Sequence, residues 1–301
     1  MQKPKALKPG DTIGIAASAS PFDRDEFQHG IAHLEKMGFK IYHRGDIFEK
    51  KSYLAGSDAR RTDELLELLK NPEIKGVFFA RGGYGLMRIL SALDSEKLKI
   101  PPKIVLGYSD ITALLAYLYQ KYGWTTFYGP VVAKDLSANG HEMNLKYLED
   151  AVTSTSPLGP FTFDEITSNE KGTAEGILVG GCLSLVRSLL ATPFELILDN
   201  KIVFLEDINE KPYSVDRMLT QLVLAGRLKK VKGIIFGNFV NGGEAAHFQE
   251  TALDVLKDFK GPILFNFPAG HGPLKVTLPL GIKVRVCAVQ KKLEYLESAC
   301  I

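Results

Sequence analysis

A few short stretches hold the residue types that could do covalent chemistry. Gly107-Tyr108-Ser109-Asp110 sets a serine between an apolar run and a helical one. On a tight strand-to-helix turn a serine hydroxyl projects from the carboxyl edge of a sheet. The next N–H, that of Asp110, then sits at the positive end of the helix and can face a developing oxyanion. This is the physics of a nucleophile elbow, although Ile111 stands where G-x-S-x-G ends in glycine. The plainer alternative is that Ser109 or Asp110 caps the helix, and local sequence leaves both readings open.

Arg81-Gly82-Gly83-Tyr84-Gly85 also leaves the end of an apolar run. Adjacent glycines let backbone N–H groups approach an anion or oxyanion closely. The pattern is neither G-x-G-x-x-G nor a Walker loop, and a permissive βα turn would look the same. A serine nucleophile needs a base, and there are 6 histidines. His271, between glycines in Ala269-Gly270-His271-Gly272-Pro273, is poorly explained by core packing and is the candidate base. Glu206-Asp207 ends the apolar run Ile202-Val203-Phe204-Leu205, so either carboxylate could orient that histidine. His29 and His33 have metal-ligand spacing on a helix but no third ligand, so a solvated face is expected. His43, His141 and His247 lie in polar contexts without a visible partner. Cys182 begins a helix after Gly180-Gly181 and reads as a small buried residue rather than a thiolate nucleophile.

The elements that must position these groups alternate along the first half. Strands are expected at 12–17, 38–42, 76–80 and 103–108, with helices at 25–37, 58–69, 86–93 and 110–119. Strands joined through helices imply right-handed crossovers and a doubly wound, mostly parallel sheet. Both glycine-containing turns then lie at its carboxyl edge, where open parallel sheets bind ligands. Residues 153–172 are rich in Ser, Thr, Pro and Gly. The division is therefore an N-terminal α/β domain over 1–155 carrying the serine, a linker over 156–172, and a smaller domain over 173–301 carrying acid and base. In the second half strands are expected at 175–181, 202–206, 233–237, 263–267 and 283–286, with helices from 182 to 190 and from 214 to 228. Its last strands show no long helix between them, so this half reads as α/β but β-rich.

Length, charge and composition exclude several function classes. The chain has 301 residues, enough for two domains and a sizeable core without staples. Lys+Arg 37 against Asp+Glu 35 leaves a net charge of +2, too balanced for a nucleic-acid footprint. No apolar run is long enough for a membrane span, and Met1-Gln2-Lys3-Pro4-Lys5 is not an apolar signal core. Cys182, Cys287 and Cys300 form an odd set with no C-x-x-C. A soluble, cytoplasmic protein is expected, with no metal or other cofactor and no nucleic-acid or membrane partner.

Taken in order, these motifs resemble the LD-carboxypeptidase family of serine peptidases. The similarity runs through Lys8-Pro9-Gly10-Asp11, Ala17-Ser18-Ala19-Ser20-Pro21, the 81–85 glycine turn and Gly107-Tyr108-Ser109-Asp110-Ile111-Thr112. It continues through Tyr128-Gly129-Pro130, Gly180-Gly181, Phe204-Leu205-Glu206-Asp207-Ile208, Asp216-Arg217-Met218-Leu219 and Gly270-His271. The resemblance implies Ser109 as nucleophile, His271 as general base and Glu206, rather than Asp207, as the orienting acid. It implies an oxyanion hole from the backbone of Asp110, Gly82 and Gly83, with Arg81, Tyr84 and Tyr108 at the substrate. Cys182 departs from the asparagine that relatives usually carry after the two glycines. The implied reaction is hydrolysis of the amide between meso-diaminopimelate and the terminal D-alanine of murein tetrapeptides, free or sugar-linked, by a homodimer engaged in peptidoglycan recycling.

Two rivals stand beside that expectation. Members of the microcin C immunity type cleave a different amide, in aminoacyl-nucleotide conjugates, and tend to be longer than 301 residues. A non-catalytic two-domain protein gripping a small anion would leave Ser109, Glu206 and His271 scattered in space.

Overall fold

The computed structural model describes residues 1–137 and 142–301, so His141 lies outside it. In chain order the first elements are β1 (Thr12–Ala16), α1 (Arg24–Lys36), β2 (Lys40–Tyr42), α2 (Asp58–Lys70), β3 (Ile74–Phe79), α3 (Leu86–Ser95) and β4 (Ile104–Gly107). A single 3-10 turn, Ser109–Ile111, leads into α4 (Thr112–Tyr122), followed by β5 (Thr126–Tyr128) and α5 (Glu142–Thr153). Then come β6 (Thr167–Ser168), β7 (Thr173–Cys182), α6 (Leu183–Ser188), β8 (Lys201–Ile208), α7 (Pro212–Leu224), β9 (Gly233–Val240) and α8 (Ala245–Val255). The chain ends through β10 (Ile263–Phe265), β11 (Leu278–Leu280), β12 (Lys283–Cys287) and β13 (Lys292–Tyr295).

Two sheets result. The first has the order β11-β5-β4-β3-β1-β2, parallel except for β11, which returns antiparallel to β5. Its central strands are apolar throughout, as strands covered on both faces must be: Val77, Phe78, Phe79, Val105 and Leu106 are fully enclosed. The second has the order β13-β12-β7-β8-β9-β10-β6, with a parallel centre from β7 to β10 and antiparallel edges. The fold is thus an α/β unit on a mostly parallel sheet, joined to a β-rich α/β unit.

No expectation covers β5, α5, β6, β11 or β13, and β11 brings residues of the second half into the first sheet; the other differences are local. Helix α8 interrupts what read as a helix-free run of strands. Its Ala245–Val255 sequence buries only Phe248 and Ala252, too thin an apolar stripe to register as a helix period. Strand β10 stops at Phe265 because Asn266 turns left-handed, with φ 58°. Helix α7 starts earlier, with Pro212 in its first turn, and ends at Leu224.

The two units meet through glycine. Gly181, at φ 141°, lies where a Cβ would fall 2.6 Å from Thr112 Cγ2 of α4, and Thr112 Oγ1 accepts the Cys182 N–H at 3.0 Å. The end of β7 therefore packs directly on the helix that begins beside Ser109.

Candidate active site

Ser109 occupies the sharp turn after β4 with φ 62°, a left-handed conformation that costs an L-residue energy. The turn tolerates Ile111 in place of glycine because the position opposite is Gly107, whose missing Cβ would lie 2.9 Å from Ile111 Cγ1. The helix-cap alternative resolves in an unexpected direction. Asp110 does cap a helix, but its Oδ2 accepts the Leu86 N–H of α3 at 2.8 Å. Burial pushes its carboxyl up to about 7, against that bond and the charge of Arg61.

The 81–85 turn is fixed against Ser109 from several sides. The carbonyl of Gly82 accepts the Ser20 N–H at 3.2 Å, and Ser20 Oγ accepts the Tyr84 N–H at 3.2 Å. Fully buried Arg61 donates from Nη1 to the carbonyls of Ser18 at 2.7 Å and Gly85 at 2.9 Å. A Cβ at Gly82 would fall 3.0 Å from Ser109 Cβ, so that glycine allows the turn its close approach to the serine. Among the described residues the N–H groups of Gly82 and Gly83 find no backbone acceptor, which leaves them available to a bound anion.

Across the interface, Glu206 near the end of β8 is wholly enclosed and accepts three hydrogen bonds. Its Oε2 accepts His271 Nδ1 at 2.7 Å and the His271 N–H at 3.0 Å, and its Oε1 accepts the Tyr128 hydroxyl at 2.5 Å. Tyr128 Oη in turn accepts the Ser109 N–H at 3.3 Å. A continuous hydrogen-bonded chain therefore runs from the Ser109 backbone, through β5, to the acid and the imidazole. Asp207, the neighbour that sequence could not separate from Glu206, turns away. It accepts the Ser184 N–H at 2.7 Å at the start of α6 and lies 3.4 Å from Cys182 Sγ. Cys182 is buried, and burial with the charges of Asp207 and Glu206 holds its thiol well above the usual range. That environment suits an inert thiol, not a nucleophile.

The His271 loop has its own scaffold. Asn238 bridges Gly270 in parallel, extending the edge of β9. Lys275, 7% exposed, donates to the carbonyls on both sides of the histidine, Gly270 at 3.0 Å and Gly272 at 2.6 Å, and pairs with Asp135 at 3.5 Å. Desolvation lowers its pKa while Asp135 pulls it back up. Tyr108 lays its ring against His271, centroids 4.8 Å apart, and donates to Asp135 Oδ1 at 3.3 Å.

Sequence reasoning missed Tyr128, Lys275 and Asp135 as site components. Tyr128-Gly129-Pro130 did stand among the matched motifs, which was a usable signal. Arg81 is exposed and spends Nη1 on the Pro21 carbonyl at 2.7 Å; Tyr84 is 47% exposed beside Tyr53, centroids 5.8 Å apart. Of the remaining histidines, His29 and His247 are exposed and His33 is half-buried, while His43 packs edge-on against Phe27. Among the described residues no group of three or more His, Cys, Asp or Glu is placed to hold a metal, and no helix is long and apolar enough to cross a membrane.

Comparison with known proteins agrees with this organisation. Residues 13–129 match the family model for the LD-carboxypeptidase N-terminal domain, and residues 175–286 match that for the C-terminal domain. A probable murein peptide carboxypeptidase of Bacillus subtilis is 36% identical over 300 residues, covering 96% of this chain and 92% of the relative. The microcin C7 self-immunity protein of Escherichia coli is 28% identical over 326 residues, covering 97% and 95%. The apo structure of an inactive mutant of a microcin C7 self-immunity protein superposes with a TM-score of 0.93 at 26% identity over all of both chains. A muramoyltetrapeptide carboxypeptidase from Oxalobacter formigenes superposes with a TM-score of 0.84 at 28% identity, covering 94% and 97%. With both halves matched and a relative this similar along nearly the whole length, the chain belongs to the LD-carboxypeptidase family, a family of carboxypeptidase-type enzymes.

Proposed function

We propose that the protein is a serine carboxypeptidase that releases the terminal D-alanine from murein tetrapeptides by cleaving its amide to meso-diaminopimelate. The observation that carries this reading is the hydrogen-bonded chain joining the strained Ser109 turn to Glu206 and His271. In this reading Ser109 Oγ attacks the scissile carbonyl and His271 Nε2 takes its proton. Glu206 holds Nδ1, fixing the tautomer that leaves Nε2 as acceptor. The N–H groups of Asp110, Gly82 and Gly83 stabilise the tetrahedral oxyanion. His271 then returns the proton to the departing D-alanine amine, and water, activated by the same base, releases the peptide from the acyl-enzyme. A guanidinium carries five N–H donors, so Arg81 keeps capacity for the substrate carboxylate after its bond to Pro21. In the same reading Tyr84, exposed on the glycine turn, and Tyr108, against His271, contribute to substrate binding.

The names of the murein peptide relative and of the muramoyltetrapeptide enzyme support the cell-wall substrate. A second reading follows from the immunity protein, whose structures include a complex with glutamyl sulfamoyl guanosine. There the same residues would cleave an aminoacyl-nucleotide conjugate. The higher sequence identity favours the murein substrate. The reading extends to a cytoplasmic homodimer, which light scattering and cell fractionation check.

The test incubates the protein with a diaminopimelate-containing tetrapeptide and follows free D-alanine by mass spectrometry. Ser109→Ala and His271→Ala should abolish release. No release by the wild type, with cleavage of an acyl-sulfamoyl adenylate, would transfer the assignment to the second reading.

A further inference from the structure

One buried hydroxyl at this site has no part in the proton transfers. Tyr128 closes β5, is 1% exposed, and packs its ring on Tyr108 at 6.1 Å and on Phe204 at 5.4 Å. Its ring thus touches both units at once. Burial first, then the Glu206 charge, hold its hydroxyl well above the usual phenol range, so it stays a neutral O–H.

We propose that Tyr128 is a positioning residue that locks the nucleophile turn to the acid across the two sheets. The inference rests on the catalytic roles given to Ser109, Glu206 and His271 above. Its first half concerns the backbone. Ser109 sits at φ 62°, a conformation that persists only where surrounding bonds over-determine it. The Tyr128 oxygen supplies one of those bonds by accepting the Ser109 N–H. That N–H is thereby withdrawn from the oxyanion, which falls to Asp110 and the glycine turn. The second half concerns the carboxylate. With Tyr128 on Oε1, the carboxylate plane is set and Oε2 alone serves His271, through both its ring and its backbone N–H.

Tyr128→Phe keeps the ring and removes only the bonds. The readouts are tetrapeptide turnover and labelling by a fluorophosphonate, in which Ser109 Oγ bonds to phosphorus, fluoride leaves and the proton passes to His271. Labelling rate and kcat should fall about 10- to 100-fold, the size of a hydrogen bond to a charged group, with KM unchanged and a lower thermal midpoint because a buried Glu206 oxygen loses its donor. A carboxylate that loses a donor becomes more basic and stabilises imidazolium more strongly. The acidic limb of the pH profile should therefore move to higher pH. The other groups facing His271, namely the Tyr108 ring, Lys275 on the flanking carbonyls and Asp135 beyond it, are unaltered in this variant. A fluorinated tyrosine at position 128 restores the bonds and should restore the labelling rate.

Wild-type labelling by Tyr128→Phe would overturn the proposal. So would a loss with an unmoved pH profile, or a failure of the fluorinated tyrosine to restore labelling. Labelling needs the catalytic machinery but no murein peptide. Failure to cleave murein peptides would therefore sink the substrate assignment alone and leave Tyr128 tested.

Discussion

Gly270→Ala isolates the geometry of the acid–base pair better than removal of either member. Gly270 has φ 98°, and a Cβ there would fall 2.5 Å from Glu206 Cγ and closer still to its carboxylate. Carbon atoms pack at about 3.5–4.0 Å, so the carboxylate or the loop must move by about 1 Å or more. Glu206 has no room to yield, being fully buried and held by His271 and Tyr128. The loop yields instead and carries the imidazole with it. A misplacement of about 1 Å costs on the order of 100-fold in rate. The left-handed backbone adds about 1–2 kcal/mol of destabilisation for any L side chain. Gly10→Ala separates the two effects, because Gly10 has φ 90° and nothing within 4 Å of its would-be Cβ. D-alanine release and urea unfolding, measured on both variants, should show the backbone penalty alone at 10, a further loss of about 1–3 kcal/mol from overlap at 270, and lost turnover only at 270. A Gly270→Ala enzyme working at the wild-type rate would refute the claim that Glu206 and His271 act through this contact.

Ser109→Gly should abolish turnover yet exceed Ser109→Ala in stability by about 1 kcal/mol, since glycine adopts φ 62° without strain; denaturant titration of both checks it. Lys275→Met should cost about 3 kcal/mol, leaving Asp135 buried without its cation and the Gly270 and Gly272 carbonyls without a donor. Turnover should fall with it, and Lys275→Arg should restore part of both. Asp110 and Glu64 each have carboxyls pushed up to about 7 by burial. The native state therefore holds protons that the unfolded chain has released, and stability should decline as pH rises from about 4 through 7. Asp110→Asn keeps an oxygen for the Leu86 N–H, so its unfolding free energy should vary less over that window; an unchanged slope would show that Asp110 is ionised in the fold.

Local sequence was enough for much of this protein. Apolar runs bounded by Pro, Gly and Asn marked β1, β3, β4 and β8, because a strand covered on both faces must be apolar along its whole length. His271 stands out because its glycine-flanked turn makes poor core, and Ser109 because it lies between an apolar strand and a helix. Helix α8 was lost for the opposite reason, since only two of its residues reach the core. What tertiary structure alone decided are the pairings between distant segments. Glu206 and Asp207 have nearly the same chemistry and adjacent places on one strand. Only folding turns one toward an imidazole 65 residues away and the other toward the start of α6. Tyr128, in sequence only part of the Tyr128-Gly129-Pro130 motif, gains its partner when the second sheet brings Glu206, 78 positions later, onto its hydroxyl. Lys275 reads as a surface cation until the loop closes its own carbonyls around it. Local propensity and apolar period act over a few residues, whereas a buried hydrogen bond depends on which atoms meet once water has been excluded.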